Sequence, residues 1–94
     1  PMRLAIDLGN THTVFGLHDG GSWVRVLRRQ TDPRATEDEL YAWFRVLAPE
    51  ARPEAIVCGS VVPNANDAIR RLGDKHFGLP VKFLRTGDDV GLRV

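Results

Sequence analysis

Apolar and polar residues alternate along the first part of the chain. Over residues 3–8 the alternation has a period of two, which predicts a β-strand with Asp7 near its carboxyl end. The pattern stops at residues 9–12 and resumes over residues 13–17 with β-branched and aromatic residues, which indicates a hairpin. After a glycine-containing turn, residues 23–29 follow the same strand pattern. We therefore expect an antiparallel meander of three strands.

The next segment has the signals of an amphipathic helix. Thr36 and Glu39 have the spacing of a capping box, in which each side chain accepts a hydrogen bond from the other residue's backbone amide. Apolar residues then recur at helical spacing until Pro49 and form one stripe: Leu40, Trp43, Phe44 and Leu47. We expect this stripe, including Trp43 and Phe44, to pack into the core.

Two short apolar runs flank a second helical segment. Residues 55–58 are too few for two helical turns and predict a buried strand, and residues 81–84 predict another short strand. Between these runs, Pro63 suits a first helical turn, and apolar residues recur at helical spacing until Gly73. The glycine predicts that the helix ends there.

The predicted order of elements is βββαβαβ, which indicates an α/β fold with a mixed sheet and helices packed on it. A meander that continues through right-handed helical crossovers into parallel strands is typical of a ribonuclease H-like half-domain. Residues 86–94 carry turn glycines, Gly87 and Gly91, and have no clear period. A chain of 94 residues suits one domain, so we expect a single domain over residues 1–94 and no second one.

Composition and charge narrow the classes of function. Thirteen basic and twelve acidic residues give a net charge of +1, so no field of one sign is available to recruit nucleic acid or an anionic membrane, and we expect neither as a partner. No apolar run approaches the roughly 20 residues that span a bilayer, and residues 1–20 do not have the basic, apolar and small-residue succession typical of a signal peptide. Cys58, the only cysteine, suits a reducing cytoplasm and a small core position. We therefore expect a cytoplasmic protein.

The interruption between the first two strands carries the candidate chemistry. The segment comprises Asp7, Leu8, Gly9, Asn10, Thr11, His12, Thr13 and Val14. A glycine lets phosphate approach the backbone, and successive amides in a turn can converge on an anion. Asp7 would repel phosphate, but it becomes useful if Mg²⁺ or its waters lie between the two. Taken alone, such a cluster closes a turn more often than it binds a ligand, and neither a Walker-type loop nor a dinucleotide fingerprint is present.

Residues 5–17 read A-I-D-L-G-N-T-H-T-V-F-G-L, which closely resembles the first phosphate motif of the type III pantothenate kinases. Two further stretches are similar to the same family in the same order. They are the T-D-P and T-E-D-E segments within residues 31–39 and the S-V-V-P junction at residues 60–63. The resemblance covers essentially the whole chain.

The resemblance implies a kinase of the actin, sugar-kinase and heat-shock-ATPase superfamily, which converts pantothenate to 4′-phosphopantothenate in the first step of coenzyme A synthesis. It implies ATP, Mg²⁺ and a monovalent cation, K⁺ or NH₄⁺, as cofactors, and a homodimer. By resemblance, residues 7–14 bind ATP, Asp7 faces Mg²⁺ through water, and Asn10, Thr11 and Thr13 contact the phosphates. The family's pantothenate site and general base lie in a G-A-D-R motif that this chain lacks. We therefore expect no catalytic residue here, no kinase activity from the isolated chain and weak ATP binding.

Two other functions stay open. One is a non-catalytic accessory protein that affects transcription, since relatives of the family have been described as accessory factors. The other is a different small-molecule kinase of the same superfamily. Saturable binding of ATP·Mg²⁺ that Asp7→Ala abolishes favours a kinase, whereas sequence-specific DNA binding favours the accessory protein.

The remaining charged residues are interpreted as structural, except that His12, in the loop, is equally suited to a nucleotide contact and to a solvated turn. Acids at a helix start interact favourably with its dipole, which accounts for Asp38 and Glu39 without a metal. His18 and His76 have no partnered acid at ligand spacing, so we expect them at surface or hydrogen-bonded positions.

Overall fold

The computed structural model describes residues 1–85, 88 and 90–92, and its five strands form one mixed sheet in the order β3-β2-β1-β4-β5. The strands are β1 (Met2–Leu8), β2 (His12–Asp19), β3 (Trp23–Gln30), β4 (Ala55–Ser60) and β5 (Val81–Phe83). The first three pair antiparallel, while β4 runs parallel to β1 and β5 runs parallel to β4. The predicted meander with a parallel continuation is confirmed.

Helix α1 spans Glu37–Leu47 and begins at the predicted capping box. Thr36 Oγ1 accepts a hydrogen bond from Glu39 N at 3.2 Å, and Glu39 Oε1 accepts one from Thr36 N at 2.8 Å. Of the predicted stripe, Leu47 is 40% exposed, so its core position is wrong. The buried row instead runs in steps of four residues: Leu40, Phe44 and Ala48. The core side of the helix therefore shifts by one residue in the last turn.

The second helical segment has three consecutive parts. They are a 3₁₀ turn (Pro63–Ala65), helix α2 (Asn66–Leu72) and a π-helical turn (Gly73–Phe77). Helix α2 ends at Leu72 with Gly73 as its C-cap, as predicted, but the backbone continues through the π-helical turn to Gly78, whose φ of 63° is left-handed. A Cβ on Gly73 would lie 2.6 Å from Leu79 O and 2.7 Å from Val81 Cγ2. The glycine is thus needed for the close approach of residues 79 and 81, since its own φ of −61° does not require a glycine.

The helices cover one face of the sheet, where the main core forms. Phe15 on β2 lies at the centre, with its ring centroid 5.1 Å from that of Trp43 and 6.1 Å from that of Phe44. Phe44 also meets Phe77 of the π-helical turn at 5.4 Å. Phe15 and Phe44 are fully buried, and Trp43 packs against them while its outer side lies under Arg29. The predicted core role of Trp43 and Phe44 is confirmed.

The opposite face of the sheet carries a smaller apolar cluster. Ala5, Val14 and Leu92 are buried together there, so Leu92 packs on this face of the sheet. A Cβ on Gly16 would lie 2.6 Å from Leu92 Cδ2, which shows how closely this segment packs. Gly91 has a φ of 86°, as its predicted turn role requires, whereas Gly87 lies outside the described residues.

Polar side chains join α1 to the π-helical turn. Asp38 Oδ1 lies 2.7 Å from His76 Nε2, and Asp38 Oδ2 accepts from Lys75 Nζ at 3.1 Å. The bonds from Lys75 and His76 hold the pKa of Asp38 below its ordinary value. His76 also stacks on Tyr41, with centroids 4.1 Å apart. His76 therefore lies at a hydrogen-bonded position, as expected, and its acidic partner comes from a residue 38 positions away that no local spacing indicates.

Two kinds of feature are absent from the described part of the chain. None of its helices has the length and apolar content needed to cross a membrane. Nowhere in it do three or more His, Cys, Asp or Glu side chains form a group that could hold a metal ion.

Candidate functional site

The connection between β1 and β2 lies at the edge of the sheet where the parallel strands β1 and β4 both end. Leu8 pairs with Ser60 in the register of these strands, and Val61 N donates to Leu8 O at 3.0 Å. Ligands of open α/β sheets bind outside the carboxyl ends of parallel strands. The predicted phosphate loop therefore occupies a position that suits a ligand.

The turn itself is a tight hairpin around Asn10 and Thr11. A backbone bond from Gly9 N to His12 O, 3.0 Å long, closes it. A Cβ on Gly9 would lie only 3.0 Å from His12 O, so this position favours glycine for its close approach. The side chains of Asn10 and Thr11 are exposed, and within the described part of the chain their backbone amides donate to no other backbone group. Exposed amides at such a bend are suited to bind an anion.

A residue from outside the hairpin holds this turn. Thr31, which follows β3, donates its backbone N–H to Thr11 O at 2.8 Å and its hydroxyl to Gly9 O at 2.7 Å. Thr13 Oγ1 lies 2.8 Å from Thr31 Oγ1. Because the single hydroxyl hydrogen of Thr31 goes to Gly9 O, Thr13 must be the donor to Thr31. Thr31 was not among the predicted site residues, because it lies 22 positions from Gly9 and no local pattern indicates a contact over that separation.

The predicted site residues divide into exposed and buried groups. Leu8, Val14 and Thr13 are buried and frame the loop from inside the sheet. The Thr13 hydroxyl uses its hydrogen on Thr31, so it donates to phosphate only if that bond opens; its phosphate contact stays a prediction. His12, half-buried, contributes its carbonyl to the turn, and a contact of its ring with a nucleotide also stays a prediction.

Asp7 lies beside the turn near the end of β1, on the sheet face that the helices do not cover. In register it stands between Val14 on β2 and Gly59 on β4, and it is half-buried. Mg²⁺ is usually held by one or two carboxylates together with waters and substrate phosphates. A single carboxylate next to a turn whose exposed amides suit an anion fits that requirement without a dedicated cluster of acids. Asp7 would thus hold the waters of an ion that the phosphates themselves bind.

Cys58 lies behind this site in the core, fully buried. Burial, together with the nearby charge of Asp7, raises the pKa of the thiol from 9.0 to about 12. Because nucleophilic reactivity belongs to the thiolate, the thiol acts as a small core residue, as the sequence predicted.

We expect Cys58 in the folded protein to resist iodoacetamide at pH 8.5 and to react once urea unfolds the chain. The folded state keeps the thiol protonated to a higher pH than the unfolded state, so the thiol's contribution to the free energy of unfolding falls as pH rises from 9.0 toward about 12. Mass spectrometry of the alkylated protein measures the reactivity. Equal rates of labelling with and without urea would contradict this assignment.

Solved structures with the same fold define the class of this protein. The ROK hexokinase of Thermus thermophilus superposes with a TM-score of 0.63 at 24% identity, covering 88% of this chain and 34% of that chain. Thermus thermophilus RuvC superposes with a TM-score of 0.61 at 22% identity, covering 88% of this chain and 60% of that chain. At these identities the likeness concerns the fold alone. The chain has the ribonuclease H-like fold that sugar kinases share with RuvC.

Sequence comparison then gives the family. The family model described as type III pantothenate kinase matches residues 3–94. Relatives named type III pantothenate kinase include that of Hyphomonas neptunium, 38% identical over 98% of this chain and 40% of the relative, and that of Thermosipho melanesiensis, 37% identical over 97% and 36%. That of Frankia alni is 40% identical over 99% and 38%. The chain belongs to the type III pantothenate kinase family and spans about two-fifths of the length of these relatives.

Proposed function

We propose that the protein transfers a phosphoryl group from ATP to pantothenate, giving 4′-phosphopantothenate, and that this chain forms the wall that holds the ATP phosphates. Membership in the family supports the reaction. One observation carries the role of the chain: an exposed turn with two available amides lies beside Asp7 at the end of β1. This arrangement offers donors to an anion and a carboxylate to its metal ion.

Each loop residue has a proposed part in holding ATP. The backbone amides of Asn10 and Thr11, with their exposed polar side chains, donate to phosphate oxygens. Asp7 accepts hydrogen bonds from the waters of Mg²⁺, and the ion, when bound, neutralises charge that develops on the phosphates. Gly9 keeps the approach to the backbone free. Leu8 and Val14 anchor the two ends of the loop in the sheet.

This wall is one part of a kinase site. Phosphoryl transfer needs the acceptor, the metal and the nucleotide held in line, and positioning supplies much of the acceleration. We assign no catalytic residue to this chain and expect it, when isolated, to bind ATP weakly and to transfer no phosphate. A monovalent cation and a homodimer are proposals for the whole protein that rest on the resemblance, and a cytoplasmic location is a proposal that rests on the single cysteine.

The test is a direct assay of the full-length protein with ATP, Mg²⁺, K⁺ and pantothenate, followed by mass spectrometry of the products. We expect 4′-phosphopantothenate and ADP in equal amounts. Phosphorylation of another acceptor but not of pantothenate would indicate a different kinase of the superfamily. Sequence-specific DNA binding without ATP turnover would indicate an accessory protein. Turnover of pantothenate by the 94-residue chain alone would contradict the assignment of this chain as one wall.

A further inference from the structure

The β1–β2 turn has a backbone conformation that matches the twist of its strands poorly. Two-residue hairpin turns match the twist of their strands best when φ is positive at one or both central positions. Neither Asn10 nor Thr11 has a positive φ, since every described residue with positive φ is a glycine elsewhere in the chain. A turn of this kind needs support from outside the hairpin, and Thr31 supplies it.

Thr31 acts on two peptide groups of the turn, and the first of them carries the Asn10 amide. In a trans peptide the C=O of one residue and the N–H of the next point in opposite directions. The hydroxyl of Thr31 holds Gly9 O at 2.7 Å, so the N–H of Asn10, which belongs to the same peptide group, is directed away from Thr31. The backbone N–H of Thr31 binds Thr11 O at 2.8 Å and thereby fixes the peptide group between Thr11 and His12.

The hydroxyl of Thr31 is itself fixed by a buried neighbour. Thr13, 3% exposed, donates to Thr31 Oγ1 at 2.8 Å, so the hydroxyl keeps its own hydrogen for Gly9 O. The two hydrogen bonds form a chain in which each donor points the same way: Thr13 donates to Thr31, and Thr31 donates to Gly9 O. Bonds in such a chain polarise and strengthen one another. No other described side chain makes a hydrogen bond to the backbone of residues 9–11.

We propose that Thr31 is a positioning residue for ATP binding, which acts by turning the Asn10 amide toward the phosphates through its bond to Gly9 O. The inference rests on the proposed phosphate-binding function. It assigns a role to a residue that contacts neither the nucleotide nor the reacting atoms. The backbone bond of Thr31 survives any substitution other than proline, so the hydroxyl is the part that mutation can isolate.

Two variants of the full-length protein separate the hydroxyl from the shape of the side chain. Thr31→Val keeps the shape and loses the donor, whereas Thr31→Ser keeps the donor. We expect Thr31→Val to raise KM for ATP about five- to tenfold, because the bond that holds Gly9 O is lost and Thr13 loses its acceptor, with KM for pantothenate unchanged. Thr31→Ser is expected to stay within about twofold of the wild type, since it keeps the bond. Ser22→Ala, in the exposed turn between β2 and β3, is the matched control.

The outcomes distinguish this proposal from the proposed function. An unchanged KM for ATP in Thr31→Val, or equal increases for ATP and pantothenate, would overturn the positioning role. If the wild type binds ATP·Mg²⁺ in calorimetry but phosphorylates no pantothenate, the proposed function fails, and the Kd values of the same variants decide the role of Thr31. If the wild type binds no ATP·Mg²⁺, both fail. Should Thr31→Val not fold, Thr31→Cys, with its weaker donor, must bind ATP more weakly than Thr31→Ser.

Discussion

Replacement of Phe44 by alanine is expected to lower the free energy of unfolding by about 3–5 kcal/mol. The Phe44 side chain is fully buried, and its ring contacts Phe15 on β2 and Phe77 in the π-helical turn. Its removal leaves a cavity where three elements meet, and packed interiors close such cavities only in part. Since domains of this size are stable by about 5–15 kcal/mol, the loss is a large share of the total. Urea denaturation followed by circular dichroism measures it.

Val46→Ala is the matched control for this substitution. Val46 lies on the same helix, but it is 78% exposed, so its truncation is expected to change the free energy of unfolding by less than about 0.5 kcal/mol. The comparison cancels effects of helix propensity that both substitutions share. Equal losses in the two variants would show that α1 does not pack on the sheet through Phe44.

Replacement of Asp7 by asparagine is expected to reduce ATP-dependent turnover by the full-length protein about 10- to 100-fold, the range for groups that orient the outer shell of a metal. Asparagine keeps the size of the side chain and removes the charge. Without the charge, the waters of Mg²⁺ lose a strong acceptor beside the phosphate turn. The concentration of Mg²⁺ that gives half-maximal rate should rise in the variant.

Asp67→Asn is the matched control, because it removes one carboxylate of the same kind from an exposed position on α2, where Asp67 pairs with Arg70. Kinetic assays over a range of Mg²⁺ concentrations compare the two variants with the wild type. We expect the control to have wild-type rates. If Asp7→Asn keeps the wild-type rate and Mg²⁺ dependence, Asp7 does not interact with the hydrated metal ion as proposed.

Features that depend on residues close together in the sequence could be predicted from it. The period of two over residues 3–8 and the capping box of Thr36 and Glu39 depend on contacts within a few positions, and both are present in the structure. The phosphate motif was recognisable for the same reason, since its eight residues, 7–14, are contiguous. Local propensity and hydrogen bonding act before the chain is folded, so the pattern alone carries this information.

Features that depend on contacts between residues far apart in the sequence could not be predicted and are seen only in the tertiary structure. Gly73 has the signature of a helix end, but the reason for it is the close approach of residues 79 and 81, which only packing creates. His76 received its acidic partner from a helix 38 positions earlier.

The candidate site shows the same division. Sequence by itself determined that an acid, a glycine and polar side chains meet in one hairpin turn at the end of the first strand. Only the tertiary structure decided which of their groups are available, because Thr31, brought in by β3, binds the carbonyls of Gly9 and Thr11 and takes the Thr13 hydrogen. The orientation of a peptide group depends on what binds its other side, and that partner lies 22 residues from Gly9 along the chain.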